Sequence, residues 1–390
     1  MSHRPLGLPA AALAAVVLLV PLTACTDNSR SDAASDGTLA VESTDDACNL
    51  SAGEAPSGNL VFEVTNGGSD VTEFYLLGDD GLRIVGEVEN VGPGLTRDLV
   101  VRAAPGQYFT ACKPGMVGDG IRASFTVTDS GEDLDLPDDI QELVETASSQ
   151  YAAYVRDQSE QLLTATQEFA DLYTSGRDDE ARAAYAPTHM HWERIEPVAE
   201  SFGDLDPRLD LWEADLAEGE EWTGWHRIEK DLWPPADSDH TPLTTAERHA
   251  MADQLVADTQ DLYDRTRDLT YTADQLGNGA KELLDEVATG KVTGEEEIWS
   301  HTDLWDFQVN VEGARIAFED LRPALEVKDP ELATTIAQRF DELQVLLDQH
   351  RDGDGFVLYT ELSDDEVREL SDGVNALSEP LSELTAAVVL

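Results

Sequence analysis

A two-domain chain, an antiparallel β-sandwich followed by an all-α helical bundle, is the fold class this 390-residue sequence predicts. Three observations carry it. Between Cys48 and Asp129, short runs rich in Val, Phe, Tyr and Thr alternate with Gly, Asn and Asp turns, the pattern of short antiparallel strands. From Pro137 onward, apolar residues recur at helical spacing over long stretches with few Gly or Pro inside them. The charge also changes near that boundary: residues 49–130 hold 11 acidic and 5 basic side chains, net −6, whereas 131–390 hold 63 and 18, net −45.

The elements follow in order. Residues 9–24 form an apolar run after Arg4, too short for a membrane span and of the length of a secretory signal, so 1–24 is expected to be a signal peptide. Leu22-Thr23-Ala24-Cys25 has the form of a bacterial lipobox, which implies lipidation of Cys25 and tethering outside the cytoplasmic membrane; an ordinary secretory signal with a chance Cys is the alternative. The Asp-, Ser-, Ala- and Thr-rich stretch from residue 25 to 47 reads as a lipidated flexible tether.

The sandwich is expected over 48–130, with strands at Leu60–Thr65, Val71–Leu77, Leu82–Val91, Leu95–Arg102, Gly106–Cys112 and Ile121–Val127. In an oxidising compartment Cys48 and Cys112 are expected to pair, although two soft metal ligands would also account for them. Residues 131–390 form the helical part, with long helices expected over Ile140–Gly176, Thr244–Leu276 and Glu331–His350.

The whole chain carries 80 acidic and 25 basic residues, a formal charge of −55, which excludes nucleic-acid binding through a basic surface and favours cations. With 41% apolar residues the chain still has the composition of a folded protein. Two spacings suggest where a cation would sit. His226 and Glu229 are three apart in Trp225-His226-Arg227-Ile228-Glu229, so on a helix both reach one metal ion. Glu193 and Glu196 repeat that spacing, and Asp204, Asp206 and Asp210 follow. The plain alternatives are a helix-surface ion pair for the first and a solvated acidic face for the second. Hard oxygens with an imidazole suit iron, manganese or zinc better than Cu(I). No His-Glu-x-x-His and no Gly-x-Ser-x-Gly is present, so hydrolytic chemistry has little support.

The runs His191–Pro207, Trp225–Glu229 and Ser300–Gln308 resemble the EfeO-type iron-uptake proteins, which join a cupredoxin-like domain to an imelysin-like (M75 peptidase-like) helical domain. Val71–Tyr75, Gly86–Asn90 and Cys112–Met116 extend that resemblance into the β-domain. It implies an extracytoplasmic component that binds iron and delivers it to a membrane permease alongside a haem-peroxidase-like partner. It further implies a metal set of Glu193, Glu196, Asp210, His226 and Glu229, with Glu286 chosen over Glu295–Glu297 as a later ligand. Copper and zinc rank behind iron. A blue-copper centre needs two His, and no His lies between His3 and His189, so the β-domain lacks one. Cys48, Cys112, Met116, Glu73 and Glu89, with Glu87 nearby, remain as a second metal site, against a disulfide with Met116 in the core.

Other signals are weaker. His189, His191 and His240 could add imidazole near a metal, but a surface role is the stronger expectation. His350–Glu361 matches an EF-hand only in part, since a His takes the first ligand position, and a helix–helix turn is expected instead. Thr302 or Asp303 is expected to cap a helix. Besides iron uptake, two other classes are carried forward: a metal-dependent peptidase, and an adhesion or carbohydrate-binding lipoprotein whose acids are only solvated surface.

Overall fold

The computed structural model describes residues 38–389 apart from 80, 82–83, 117–119, 132–135, 217–218, 220, 236–240 and 290. The expected signal peptide, Cys25 and His240 therefore lie outside the described residues, as does the side chain of Met116.

Among the described residues, nine strands precede the helices: β1 (Thr38–Ser43), β2 (Cys48–Leu50), β3 (Glu54–Pro56), β4 (Gly58–Asn66), β5 (Thr72–Leu77), β6 (Ile84–Val91), β7 (Thr96–Ala103), β8 (Gly106–Cys112) and β9 (Ile121–Thr128). They form two sheets, ordered β2-β1-β4-β7 and β3-β9-β8-β5-β6. Strand β4 shows why they face each other. Leu60, Phe62 and Val64 alternate inward and are fully buried, and the Phe62 ring lies 5.1 Å from Phe74 and 5.6 Å from Phe125 of the opposite sheet. Burying each such side chain stabilises the fold by about 2–3 kcal/mol.

Two expectations are corrected here. Strand β1 lies inside the segment expected to be tether and pairs with β4 from Thr38↔Val61 to Ser43↔Asn66. Its buried Leu39 and Val41 obey the two-residue strand period, a signal hidden by the polar residues around it. The sandwich is also mixed, because β1 runs parallel to β4 and β3 parallel to β9, while the other pairs are antiparallel. Cys48, at the start of β2, and Cys112, at the end of β8, are joined by a disulfide with Cα atoms 5.5 Å apart, so the bond staples one sheet to the other.

The helical part contains α1 (Asp138–Thr174), α2 (Asp178–Glu193), α3 (Leu205–Asp210), α4 (Trp225–Leu232), α5 (Thr245–Thr266), α6 (Ala273–Thr289), α7 (Asp303–Lys328) and α8 (Pro330–Leu347). A small hairpin of β10 (Arg351–Asp352) and β11 (Gly355–Phe356) then replaces the expected plain turn, before α9 (Asp364–Leu381) and α10 (Leu384–Val389). The helix expected over Thr244–Leu276 is two helices. Thr244 and Glu247 form a capping box at the first, and Thr272 Oγ1 with Gln275 starts the second in the same manner. Thr302 is the N-cap position of α7, as expected, though its side chain makes no capping bond.

Helix α6 lies between the sandwich and the centre of the bundle. Its Asn278 Nδ2 donates to Val100 O at 2.8 Å, its Asp274 Oδ2 accepts from Arg102 N at 3.1 Å, and its Asp285 meets Arg97 at 3.1 Å. The two halves thus share one compact unit.

The cross-sheet disulfide closes a separation of 64 residues, which on the chain-entropy model stabilises the fold by about 4 kcal/mol. The double variant Cys48→Ser/Cys112→Ser is expected to lower the sandwich's unfolding free energy by about 2–4 kcal/mol in urea titrations. Equal stability of variant and parent would show that the bond does not restrain the fold.

Candidate metal centre

The centre is assembled from five short pieces of chain, each of which turns polar atoms inward. On α2, Tyr185, His189 and Glu193 recur every four residues on one face, and all are fully buried. Asp210 ends α3, and His226 and Glu229 lie on the buried face of α4. Glu296 and Glu297 come from the turn before α7, and Asp303, Asp306 and Asn310 form a stripe along α7, each at most 1% exposed. Gly224 allows α3 and α4 to meet: its φ is +88°, and a Cβ there would lie 2.1 Å from Leu209 O. That contact sets Asp210 beside His226.

Two imidazoles stand at the middle, their ring centres 5.7 Å apart and nearly perpendicular. Asp210 Oδ1 lies 2.8 Å from His189 Nε2 and 3.4 Å from His226 Nε2, so one carboxylate oxygen serves both rings. Around His189 lie Glu193 at 3.4 Å, Glu297 at 3.2 Å and Asp306 at 3.6 Å. Around His226 lie Glu229 and Glu296, each at 3.6 Å. Glu229 is aimed by its other oxygen, which accepts from the backbone N–H groups of Trp299 at 2.9 Å and Ser300 at 2.6 Å. Glu297 is held by the Ser300 hydroxyl at 3.1 Å. Rings of Trp225 and Tyr185 back the pair, with Trp225 5.3 Å from His189.

This many buried carboxylates strain one another electrostatically. Asp306 is pushed up to about 8, chiefly by burial, and Asp303 and Asp206 up to about 7 for the same reason. Burial and the charge of Glu229 hold Glu297 well above the usual carboxylate range. Asp210 moves the other way: burial opposes its charge, but His189 and His226 together pull it below that range. Burial likewise disfavours protonation of His189 and His226, yet Asp210 and its neighbours raise both imidazoles well above their ordinary value.

One lysine enters this interior. Lys291, 1% exposed in a 3-10 turn after α6, places its ammonium 3.0 Å from Glu193, 2.8 Å from Glu196 and 3.4 Å from Glu296. Asn310 Nδ2 adds hydrogen bonds to Glu193 Oε2 at 3.0 Å and Glu196 Oε2 at 2.7 Å.

The donor set fits a metal ion. Four groups of three ligands have donor atoms all within 4.8 Å of one another: His189/Glu193/Asp210, His189/Glu297/Asp306, Asp210/His226/Glu296 and His226/Glu229/Glu297. Metal–nitrogen and metal–oxygen bonds of about 2.0–2.2 Å need donors at about that mutual spacing. Several of these atoms are buried without a hydrogen-bond partner, among them both nitrogens of His226, Glu193 Oε1, Glu229 Oε2, Glu296 Oε2 and both oxygens of Asp306. Buried polar atoms left unpaired are costly, and a cation among them would satisfy several at once.

Of the residues expected from sequence, the structure brings Glu193, Asp210, His226 and Glu229 together. It places Glu196 against Lys291, and Glu286 on α6 outside these ligand groups, where its charge acts on Glu196 and Lys291. Glu296 and Glu297, passed over in favour of Glu286, stand at the imidazoles instead. His189, expected at the surface, is fully buried at the core of the centre. Its spacing of four from Glu193 was the available signal. Asp306 was also missed, although it lies three residues beyond Asp303 on one helical face. His191, half-buried, turns away to Gln158 at 2.9 Å. In the β-domain, the disulfide uses both thiols of the alternative metal site; Glu73 accepts from the Tyr75 hydroxyl at 2.5 Å and lies 3.6 Å from Lys113, while Glu89 is partly exposed.

Comparison with known proteins places the chain among relatives. The imelysin family model (Peptidase_M75) matches residues 147–384. The chain is 35% identical over 350 residues to "Iron uptake system component EfeO" of Escherichia coli O157:H7, with 89% of this chain and 90% of the relative covered. The proteins of that name in Escherichia coli K12 and Shigella flexneri match with the same identity and coverage.

Because Asp206, Asp303 and Asp306 keep protons to about pH 7–8 when folded, while unfolded carboxyls release theirs near pH 4, the folded metal-free protein binds more protons across that interval. Its stability therefore falls as pH rises. The imidazoles, raised above their unfolded value, act in the same direction, since their contribution is present below about pH 6.5 and is lost at higher pH. Metal-free protein is expected to melt at a lower temperature at pH 8 than at pH 5.5, as read by calorimetry; a flat or rising profile would contradict the protonation pattern.

Proposed function

Because this chain belongs to the EfeO family of iron uptake system components and carries that family's imelysin domain, we propose that it binds iron at the two-imidazole centre and hands it to a membrane permease. The observation that carries this reading is the convergence of His189, Glu193, Asp210, His226, Glu229, Glu296, Glu297 and Asp306 in one interior, with donor atoms at metal-ligand spacing and several lacking any other partner. Carboxylate-rich sites with nitrogen donors suit Fe(II) and Fe(III), and the strongly acidic surface raises the local cation concentration. Binding displaces the protons that Asp306 and the imidazoles hold in the metal-free protein, so uptake is coupled to proton release.

The role is that of a carrier. The buried carboxylates and imidazoles act as ligands to the cargo rather than as nucleophile or general base. Lipidation at Cys25 would keep the protein beside its permease, and a haem-peroxidase-like partner would act on iron in the same compartment. Among the described residues no helix is long and apolar enough to cross a membrane.

Anaerobic titration with Fe(II), and titration with Fe(III) citrate, are expected to show binding that the Glu193→Ala/His226→Ala variant loses by at least about 100-fold, since ligands matter no less than their supporting shell. Equal binding by both proteins would sink the assignment. For the anchor, the full-length chain expressed in a bacterial host is expected to partition into detergent, and Cys25→Ala to remain in the aqueous phase; identical partitioning would remove the lipid from the picture.

A further inference from the structure

Beside the imidazole pair the interior holds one buried ammonium, that of Lys291, among carboxylates. Glu193 points one oxygen at His189, 3.4 Å away, and the other at Lys291, 3.0 Å away. Glu296 divides in the same manner, with one oxygen 3.6 Å from His226 and the other 3.4 Å from Lys291. Both oxygens of Glu196 lie 2.8 Å from the ammonium. The ammonium therefore sits among three carboxylates, two of which also border the imidazole position. Carboxylates shared between neighbouring cations are the arrangement by which helical bundles hold two metal ions.

From this geometry we infer that Lys291 is a tethered cation occupying a second metal position formed by Glu193, Glu196 and Glu296, and that it restricts the centre to one metal ion per chain. Three observations besides the acidic cluster support it. Lys291 is 1% exposed, so its charge is not a surface feature drawn inward by chance. Asn310 is fully buried, donates its Nδ2 to Glu193 and Glu196, and keeps its own Oδ1 without a hydrogen-bond partner. Glu296 Oε2, the oxygen 3.4 Å from the ammonium, is likewise buried without a hydrogen-bond partner. An ammonium has only three donors and one charge, and here it serves more acceptor oxygens than it can bond well. A divalent ion at the same place would satisfy them more completely.

The inference rests on the metal-centre reading above, and it gives the lysine a purpose within it. Glu193 and Glu296 share their charge with a fixed ammonium, so they bind the imidazole-side ion less strongly than free carboxylates would. The single ion is then held by a centre whose total attraction is limited by the chain itself.

The test uses Mn(II) as an air-stable probe, with equilibrium dialysis for stoichiometry and electron paramagnetic resonance for proximity. The parent protein is expected to bind one Mn(II) with an uncoupled six-line spectrum. The variant Lys291→Met, which keeps length and removes charge, is expected to bind two, with the six-line intensity lost to exchange coupling as the second ion enters. One Mn(II) per chain in a folded Lys291→Met protein overturns the inference. If that variant is unfolded without metal, folding on addition of two equivalents of Mn(II) supports the inference, and failure to fold at saturating Mn(II) overturns it. The two readings separate cleanly. A parent that binds no Mn(II) refutes the imidazole-side centre; the lysine's role then stands if Lys291→Met binds one ion that survives a further His226→Ala change, and falls if it binds none.

Discussion

Like-charge repulsion in a dry interior is the constraint on which the rest of this molecule depends. Glu193, Asp210, Glu229, Glu296, Glu297 and Asp306 are gathered within a few ångströms around two imidazoles and one ammonium. Nothing in the energetics of folding favours that gathering by itself, because buried charges without full compensation destabilise a protein. The surrounding packing must hold it in place. Long α1, stacked against α2, α5 and α7, supplies an apolar frame whose buried Phe169, Tyr173, Tyr185 and Trp225 form one aromatic cluster directly behind His189. The acids are thus confined by neighbours that cannot move aside without opening the core.

The sandwich contributes to the same confinement from the other side. Helix α6 is pinned to β7 by hydrogen bonds to the backbone at Val100 and Arg102, and the 3-10 turn carrying Lys291 follows it directly. The position of the ammonium is therefore referred to the β-domain as well as to the bundle. Gly313 on α7 and Gly279 on α6 allow the backbone between Arg194 and Pro197 to approach more closely than any side chain would permit. Glu196, in that stretch, reaches the lysine because of those two approaches.

The division between sandwich and bundle was legible in the sequence, because strand and helix periods differ and each leaves its own repeat of apolar residues. Strand β1 was not, since six residues with only two large apolar side chains are a weak signal among Asp and Ser. The centre was legible in part. His226 with Glu229 and Glu193 with Glu196 stand out by spacing, but among 80 acidic residues spacing does not say which carboxylates are buried. His189 looked like a surface residue because α2 is polar along much of its length and its burial depends on α3, α4 and α7. Glu296 and Glu297 belong to a turn with no period at all, and only tertiary structure brings them to the imidazoles. Lys291 is invisible for a related reason: one basic residue in an acidic chain reads as a solvated charge until its neighbours are known.

The burial of the donors bears on time as much as on affinity. His189, Glu193, Glu229 and Glu297 are fully covered, so no incoming carrier or chelator touches the inner ligands while the fold stays closed. Exchange then waits on local opening, and the donor-bearing piece with the least regular structure is the turn holding Glu296 and Glu297, which contains no helix or strand of its own. If the centre carries iron as proposed, its residence time would be set by how often that turn opens, so a strong grip and a prompt release would be governed by different parts of the same protein.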